Sequence, residues 1–218
     1  MVSNRPPAGG APFMNVTTLL WDLGGVVLTN AWDREQRIKV LNEFGITSKD
    51  ELDEFGDRHR EAAPLWEIGK CTIDDYLFMT LFGFSQTVSK ETFREKMFAQ
   101  SDALPGLEVL KRVKASDRYF LITLNNESKE LNEYRIDRFG LREYFSAFFS
   151  SCYLNMMKPN PKMYQTVLQI IQRSQDECLF IDDRQQNVES AKRLGLHAIH
   201  YTDHTALLGE LHKLGIDV

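Results

Sequence analysis

Asp22 ends the apolar run Val16-Thr17-Thr18-Leu19-Leu20-Trp21 and is followed at once by Leu23-Gly24-Gly25-Val26-Val27. A strand-like run that stops on one carboxylate and then on glycines puts that carboxylate at the carboxyl edge of a buried parallel strand, where open α/β sheets bind ligands. The pattern recurs. Tyr119-Phe120-Leu121-Ile122 runs into Thr123-Leu124-Asn125-Asn126, and Cys178-Leu179-Phe180-Ile181 runs into Asp182-Asp183. Between these, Lys158 lies in Met156-Met157-Lys158-Pro159-Asn160-Pro161, whose two prolines rule out a continuing helix and define a loop. Converging on one crevice, these groups would offer a carboxylate nucleophile, a hydroxyl donor and a compact ammonium. Two adjacent acids repel each other unless a cation or hydrogen bonds intervene, and hard oxygen ligands of this kind suit Mg²⁺.

In chain order, Asp22, Thr123, Lys158 and the Asp182-Asp183 pair resemble the motif series of the haloacid dehalogenase-like hydrolases. Asp-Leu-Gly-Gly-Val looks like the nucleophile motif, Thr123 the hydroxyl motif, Lys158-Pro159 the lysine motif and Phe180-Ile181-Asp182-Asp183 the acidic metal motif. The resemblance covers about residues 16 to 203. Asp-Leu-Gly-x-Val, the Asn-Asn pair after Thr123, and Asn187 after the acids are similar to subfamily IA, close to its α-glucose-1-phosphate phosphatase-like branch.

This resemblance implies a Rossmann-like three-layer α/β/α sandwich with a parallel sheet and an inserted helical cap. It implies a Mg²⁺-dependent phosphomonoester hydrolase acting on a small phosphorylated metabolite, a sugar phosphate by its branch, through an aspartyl-phosphate intermediate. Asp22 is then the nucleophile, with Thr123, Leu124, Asn125 and Lys158 holding the phosphoryl oxygens. Asp22, the Gly24 carbonyl and Asp182 are the expected metal ligands, and Asp183 either supports them or ligates directly. Asn125 and Asn126 read as further donors, with turn residues as the alternative.

One position departs from the family. Most of its phosphatases carry a second Asp two residues after the nucleophile, acting as acid and then as base, and Gly24 stands there instead. Losing general acid–base help costs about 10²–10⁴-fold. Another group substitutes, or the leaving group needs little help, as in an anomeric or acyl phosphate, or activity is weak. Asp33, Glu35, His59 and Glu67 in the cap are candidate substitutes, each with a surface or packing role as the alternative. Arg34 and Arg37 read either as contacts to substrate or as a solvated helix start. Two rival functions stay open: a metal-independent 2-haloacid dehalogenase, and a non-catalytic phosphate-binding or interaction module.

The organisation fits this scheme. A chain of 218 residues, 43% of them hydrophobic, suits one α/β domain with an insertion, or a domain plus a small cap. A net charge of -5 without a basic stripe argues against nucleic acid, and no segment is long and apolar enough for a membrane span. Three cysteines without Cys-x-x-Cys spacing point to a reduced, cytoplasmic setting, and either a monomer or a homodimer is compatible.

Residues 1–15 read as a flexible tail, 16–31 and 103–218 as the Rossmann-like core, and 32–102 as the helical cap. Within the cap, helices are expected over Arg37 to Phe44, Lys49 to Arg60, Thr72 to Phe82 and Lys90 to Gln100, with breaks near Gly45, Pro64, Gly69 and Gly83. In the core, helices over Leu107 to Lys114, Ser128 to Phe139, Lys162 to Arg173 and Asn187 to Leu194 alternate with strands, including Ala147 to Ser151 and His197 to Tyr201. Trp21, Trp32 and Trp66 read as packing residues.

Overall fold

A computed structural model of the protein describes residues 15–81, 84 and 89–217. The expected tail up to residue 14, the Phe82 end of the third cap helix and the break at Gly83 lie outside the described residues. The strands among the described residues are β1 (Thr18–Trp21), β2 (Phe120–Asn125), β3 (Ala147–Ser150), β4 (Cys178–Asp182) and β5 (His197–His200). The α-helices among the described residues are α1 (Arg34–Glu43), α2 (Lys49–Glu67), α3 (Ile73–Leu81), α4 (Lys90–Phe98), α5 (Gly106–Ala115), α6 (Lys129–Arg138), α7 (Ser151–Leu154), α8 (Pro161–Ile171), α9 (Gln185–Arg193) and α10 (His204–Lys213).

All strand pairs are parallel, in the order β3-β2-β1-β4-β5. The apolar runs are continuous because both faces of the sheet are covered. Leu19 and Trp21 turn to one side, against Leu110 and Val113 of α5 and Leu207 and Leu211 of α10. Leu20, one residue out of phase, turns to the other side, against Met163 and Val167 of α8 and Ala191 of α9. The result is the three-layer α/β/α sandwich expected from the sequence.

This strand order also locates the crevice. From β1 the chain passes to β2 and β3 on one side, then returns across the sheet to β4 and β5 on the other. The order therefore reverses between β1 and β4, and loops leaving the carboxyl ends of those two strands diverge to open a cleft. Trp21 pairs with Ile181, so Asp22 and Asp182, each one residue further on, stand side by side at that edge.

Helices α1 to α4 share a hydrophobic cluster of their own, built around Trp32, Phe55, Trp66, Tyr76 and Phe93, with Leu131 of α6 joining it from the sheet side. Helix α1 starts at Arg34, earlier than expected, because the Asp33 side chain accepts hydrogen bonds from the Glu35 and Gln36 N–H groups. A capping box between Ser48 and Glu51 starts α2.

The expected break at Pro64 is corrected: α2 runs through it to Glu67. Pro64 and Arg60 are both exposed residues, so the hydrogen bond that Pro64 cannot donate to the Arg60 carbonyl is lost on the solvent side of the helix. Helices α7 and α10 were not anticipated. Among the described residues no helix is long and apolar enough to cross a membrane.

Candidate active site

Asp22 continues the β1–β4 ladder by one residue, its N–H donating to the Ile181 carbonyl at 2.9 Å. The chain then folds tightly: the Val27 and Leu28 N–H groups donate to the Leu23 carbonyl at 3.0 and 2.9 Å, and Gly25 N–H donates to the Leu28 carbonyl at 2.7 Å. Gly25 has a φ of +73°, and a Cβ there would lie 2.1 Å from Asp183 Oδ2. The second glycine thus serves both the left-handed turn and the space Asp183 needs.

Lys158 joins the two strand ends. Its ammonium is 3.0 Å from Asp22 Oδ1 and 2.6 Å from Asp182 Oδ2, with all three side chains buried. Asn126 grips the lysine's backbone from both sides, donating to the Lys158 carbonyl at 2.9 Å and accepting its N–H at 2.8 Å. Asp182 is also held by Asn187, whose amide lies 3.0 and 3.1 Å from its two oxygens, and by the Arg184 N–H at 2.8 Å. Burial works against the Lys158 charge, but Asp22 and Asp182 outweigh it and raise the ammonium's pKa. Burial, together with the Asp182 and Asp183 carboxylates, pushes Asp22 above the usual carboxylate range, against the pull of Lys158.

Carboxylate oxygens of Asp22, Asp182 and Asp183 lie within 4.8 Å of one another. Asp183 Oδ1 is buried without a hydrogen-bond partner. Three convergent hard oxygen donors, one of them unsatisfied, fit a divalent cation.

Beside this cluster opens a cavity of about 320 Å³, lined by Asp22, Gly24, Lys158 and Asn126 on the sheet side and by Trp32, Arg34, Arg37, His59, Trp66 and Glu67 on the helical side. Asn30, Glu127, Arg135 and Arg184 complete its polar wall. Arg135, 2% exposed, pairs with Glu127 and donates to the Thr29 carbonyl, tying α6 to the segment after β1. His59 Nδ1 is 2.9 Å from the Tyr76 hydroxyl, whose oxygen also accepts the Trp32 indole N–H at 2.7 Å. Burial, with Arg37 and Arg60 nearby, lowers the His59 pKa to about 4. Burial, then Glu127, push Glu67 up to about 7, against the opposing pull of Arg184 and Arg37.

Asp22, Gly24, Lys158, Asp182 and Asp183 are thus brought together. Thr123, Leu124 and Asn125 do not line this cavity. Strand β2 extends to Asn125, so these residues pair with Phe148, Phe149 and Ser150 of β3 inside the sheet. Thr123 Oγ1 accepts the Phe149 N–H at 3.1 Å, Leu124 is in the core, and Asn125 bonds to Asn132 and Ser150. Asn126 is the residue of that run at the cavity. Of the four candidate substitute acids, Asp33, His59 and Glu67 line the cavity and Glu35 does not. Glu127 and Arg184 carried no recognisable signal, since each is an ordinary polar residue in a mixed segment, and Asn30 and Arg135 had no assigned role at the site.

Comparison with known proteins agrees with this geometry. The haloacid dehalogenase-like hydrolase family matches residues 16–195. A chloroplast flavin mononucleotide hydrolase from Arabidopsis thaliana is 30% identical over 128 residues, 59% of this chain and only 52% of that protein, so the chain spans about half of that relative's length. A sesquiterpene phosphatase from Aspergillus oryzae is 25% identical over 198 residues, 89% of this chain and 94% of that one. The fold is shared with a family enzyme from Bacteroides thetaiotaomicron solved with magnesium and inorganic phosphate, at a TM-score of 0.75 and 21% identity over 87% of this chain and 96% of that one. The chain belongs to the haloacid dehalogenase-like hydrolases.

Proposed function

We propose that the protein is a Mg²⁺-dependent phosphomonoesterase for a small phosphorylated metabolite, working through an aspartyl-phosphate on Asp22. The observation that carries this reading is the Lys158 ammonium shared by Asp22 and Asp182, beside the unpartnered Asp183 Oδ1. The magnesium and phosphate bound by the Bacteroides enzyme support it, as does the phosphatase relative from Aspergillus.

Asp22, Asp182, Asp183 and the Gly24 carbonyl would hold Mg²⁺, which when bound supplies the positive charge that lets a carboxylate approach a phosphate dianion. Leu23 N–H and Lys158 both engage Asp22 Oδ1, which orients the carboxylate before attack. The bond from Asp22 to phosphorus forms as the bond to the leaving oxygen breaks, and water then opens the acyl phosphate to release inorganic phosphate. Lys158 neutralises charge on the transferring oxygens, and Asn126 and Asn187 keep it and Asp182 in place.

A sugar phosphate suits the cavity, whose wall combines Trp32 and Trp66 with the hydrogen-bonding groups of Arg34, Arg37 and His59. The setting is cytoplasmic and reduced in this reading, consistent with free Cys71, Cys152 and Cys178, and the protein acts as a monomer or homodimer without nucleic-acid or membrane partners.

The test is phosphate release from sugar phosphates, acyl phosphates and p-nitrophenyl phosphate, with Mg²⁺ or with chelator, for wild type and Asp22→Asn. Release that requires metal and vanishes in the variant is expected. Halide release from a chloroacid in the presence of chelator would instead identify a dehalogenase. Phosphate affinity without turnover of any compound would leave a binding module.

A further inference from the structure

Breaking a phosphomonoester at Asp22 leaves negative charge on the departing oxygen, which a nearby acid must neutralise unless the leaving group is already stable as an anion. The loop after Asp22 supplies no acid. Position 24 is glycine, and the Asn30 amide occupies the adjoining space, its Oδ1 2.7 Å from where a Gly24 Cβ would stand. An amide does not serve as a proton donor of useful strength at neutral pH.

The remaining carboxyl groups on the cavity wall are Asp33, Glu67 and Glu127. Asp33 caps α1 through the Glu35 and Gln36 N–H groups. Glu127 is paired with Arg135. Burial, with Arg37 and Arg60, favours the neutral form of His59, and the N–H of a neutral imidazole is far too weak an acid. Among the described residues no hydrogen bond or ion pair engages the Glu67 carboxylate, which leaves its proton free to move.

Glu67 lines the same cavity as Asp22, and its backbone is firmly anchored. It is the last residue of α2, and its carbonyl accepts the Ser151 hydroxyl at 2.6 Å, while the same Ser151 oxygen accepts the Glu127 N–H at 2.9 Å. Two residues on, a Cβ at Gly69 would lie 2.3 Å from the Cys152 carbonyl oxygen, so the end of α2 rests directly on α7. The tip of this helix is anchored to the sheet-side layer that carries the nucleophile.

Resting on the phosphomonoesterase reading, we propose that Glu67 is the catalytic acid and base of this site. Its carboxyl proton passes to the leaving oxygen as the phosphorus–oxygen bond breaks, and the alcohol departs neutral. The resulting carboxylate then takes a proton from the water that attacks the aspartyl-phosphate, returning both Asp22 and Glu67 to their starting states. The groups that set its ionisation are Glu127, which favours the protonated form, and Arg184 and Arg37, which favour the ionised form, with neutral His59 on the same helix. Burial and this balance hold its pKa near neutrality, where one group can serve in both directions.

The experiment measures kcat/KM for a primary alkyl phosphate and for p-nitrophenyl phosphate, with Mg²⁺, in wild type and Glu67→Gln. Glu67→Gln is expected to lose about 10²-fold or more on the alkyl ester and less than about 10-fold on the nitrophenyl ester, whose phenolate leaves without a proton. The wild-type alkyl-ester profile falls above about pH 7, and the variant lacks that limb. Equal losses on both esters, or no loss, overturn the assignment. Wild type that turns over neither these esters nor any sugar or acyl phosphate overturns the phosphomonoesterase reading itself, whereas Asp22→Asn silencing both esters upholds that reading whatever Glu67 does. If Glu67→Gln does not fold, wild type alone decides: a shallow dependence of rate on leaving-group pKa across alkyl and aryl phosphates supports an internal acid, and a steep one overturns it.

Discussion

The Asn30 side-chain oxygen stands 2.7 Å from where a Cβ on Gly24 would lie, so this amide fills the place of any side chain at position 24. Asn30 is exposed and can swing away, and Gly24 does not need a positive φ. Gly24→Asp is therefore expected to fold with a loss below about 1 kcal/mol. Introduced into Glu67→Gln, it is expected to restore alkyl-phosphate turnover at least ~10-fold by supplying a new acid. Paired rate and thermal-melt measurements on the single and double variants check both statements.

Gly25 allows no such freedom. Its φ of +73° and the 2.1 Å approach of Asp183 Oδ2 both oppose a side chain. Gly25→Ala is expected to cost about 1–3 kcal/mol, and more where Asp183 is forced to move. Urea denaturation of the two single glycine variants should separate them clearly.

Replacing Lys158 exposes the role of its charge. Lys158→Met leaves Asp22 and Asp182 buried without their shared counter-ion, a change expected to destabilise the fold by about 3–5 kcal/mol. Added Mg²⁺ should recover part of that loss, because it also neutralises the carboxylates. Denaturation midpoints with and without the cation give the comparison.

Mg²⁺ should raise the melting temperature of the wild type, since a ligand that binds only the folded state stabilises it by mass action. Asp183→Asn should shrink that rise at a fixed Mg²⁺ concentration while leaving the metal-free melting temperature nearly unchanged, because Asp183 Oδ1 has no hydrogen-bond partner to lose. An unchanged rise would remove Asp183 from the ligand set.

The two shifted groups on the helical wall give opposite pH dependences. His59 has its pKa lowered from 6.5 to about 4, so below about pH 6.5 the unfolded chain takes up a proton that the folded protein refuses. Stability then falls as pH drops, by on the order of 1–2 kcal/mol at pH 4 after allowance for partial exposure. Glu67 has its pKa raised from 4.5 to about 7, so the folded protein keeps a proton that the unfolded chain releases. That contribution is fully present below about pH 4.5 and is lost as pH rises through 7. Melting curves from pH 4 to 8 should show a smaller acid-side decline in His59→Asn, and a gain in Glu67→Gln that is larger at pH 8 than at pH 4.5.

Asp22, Lys158, Asp182 and Asp183 were legible in the sequence because each stands at an abrupt change from apolar to polar residues or in a proline-bounded loop. In a parallel sheet the strand ends point to one edge, so such changes tend to meet in space. Thr123 was harder to place for a related reason. The polar residues after Ile122 looked like a loop, but pairing with β3 carries the strand on to Asn125 and turns its side chains to internal hydrogen bonds. Strand length there is decided by the neighbouring strand.

The cavity wall was far less legible. Arg135 reaches the Thr29 carbonyl across 106 positions of sequence, and Ser151 joins Glu67 to Glu127 across gaps of 84 and 24. No local spacing encodes such meetings. Hydrophobic period and turn chemistry act over a few residues, so the alternation of strands and helices and the reactive groups at their ends are written locally in the chain. Packing alone settles that β1 and β4 lie side by side, that α2 docks its last residue on the sheet layer, and that Glu67 and Asp22 line one cavity. Those relations arise from how separate elements bury their apolar faces against one another, which is a property of the packed whole.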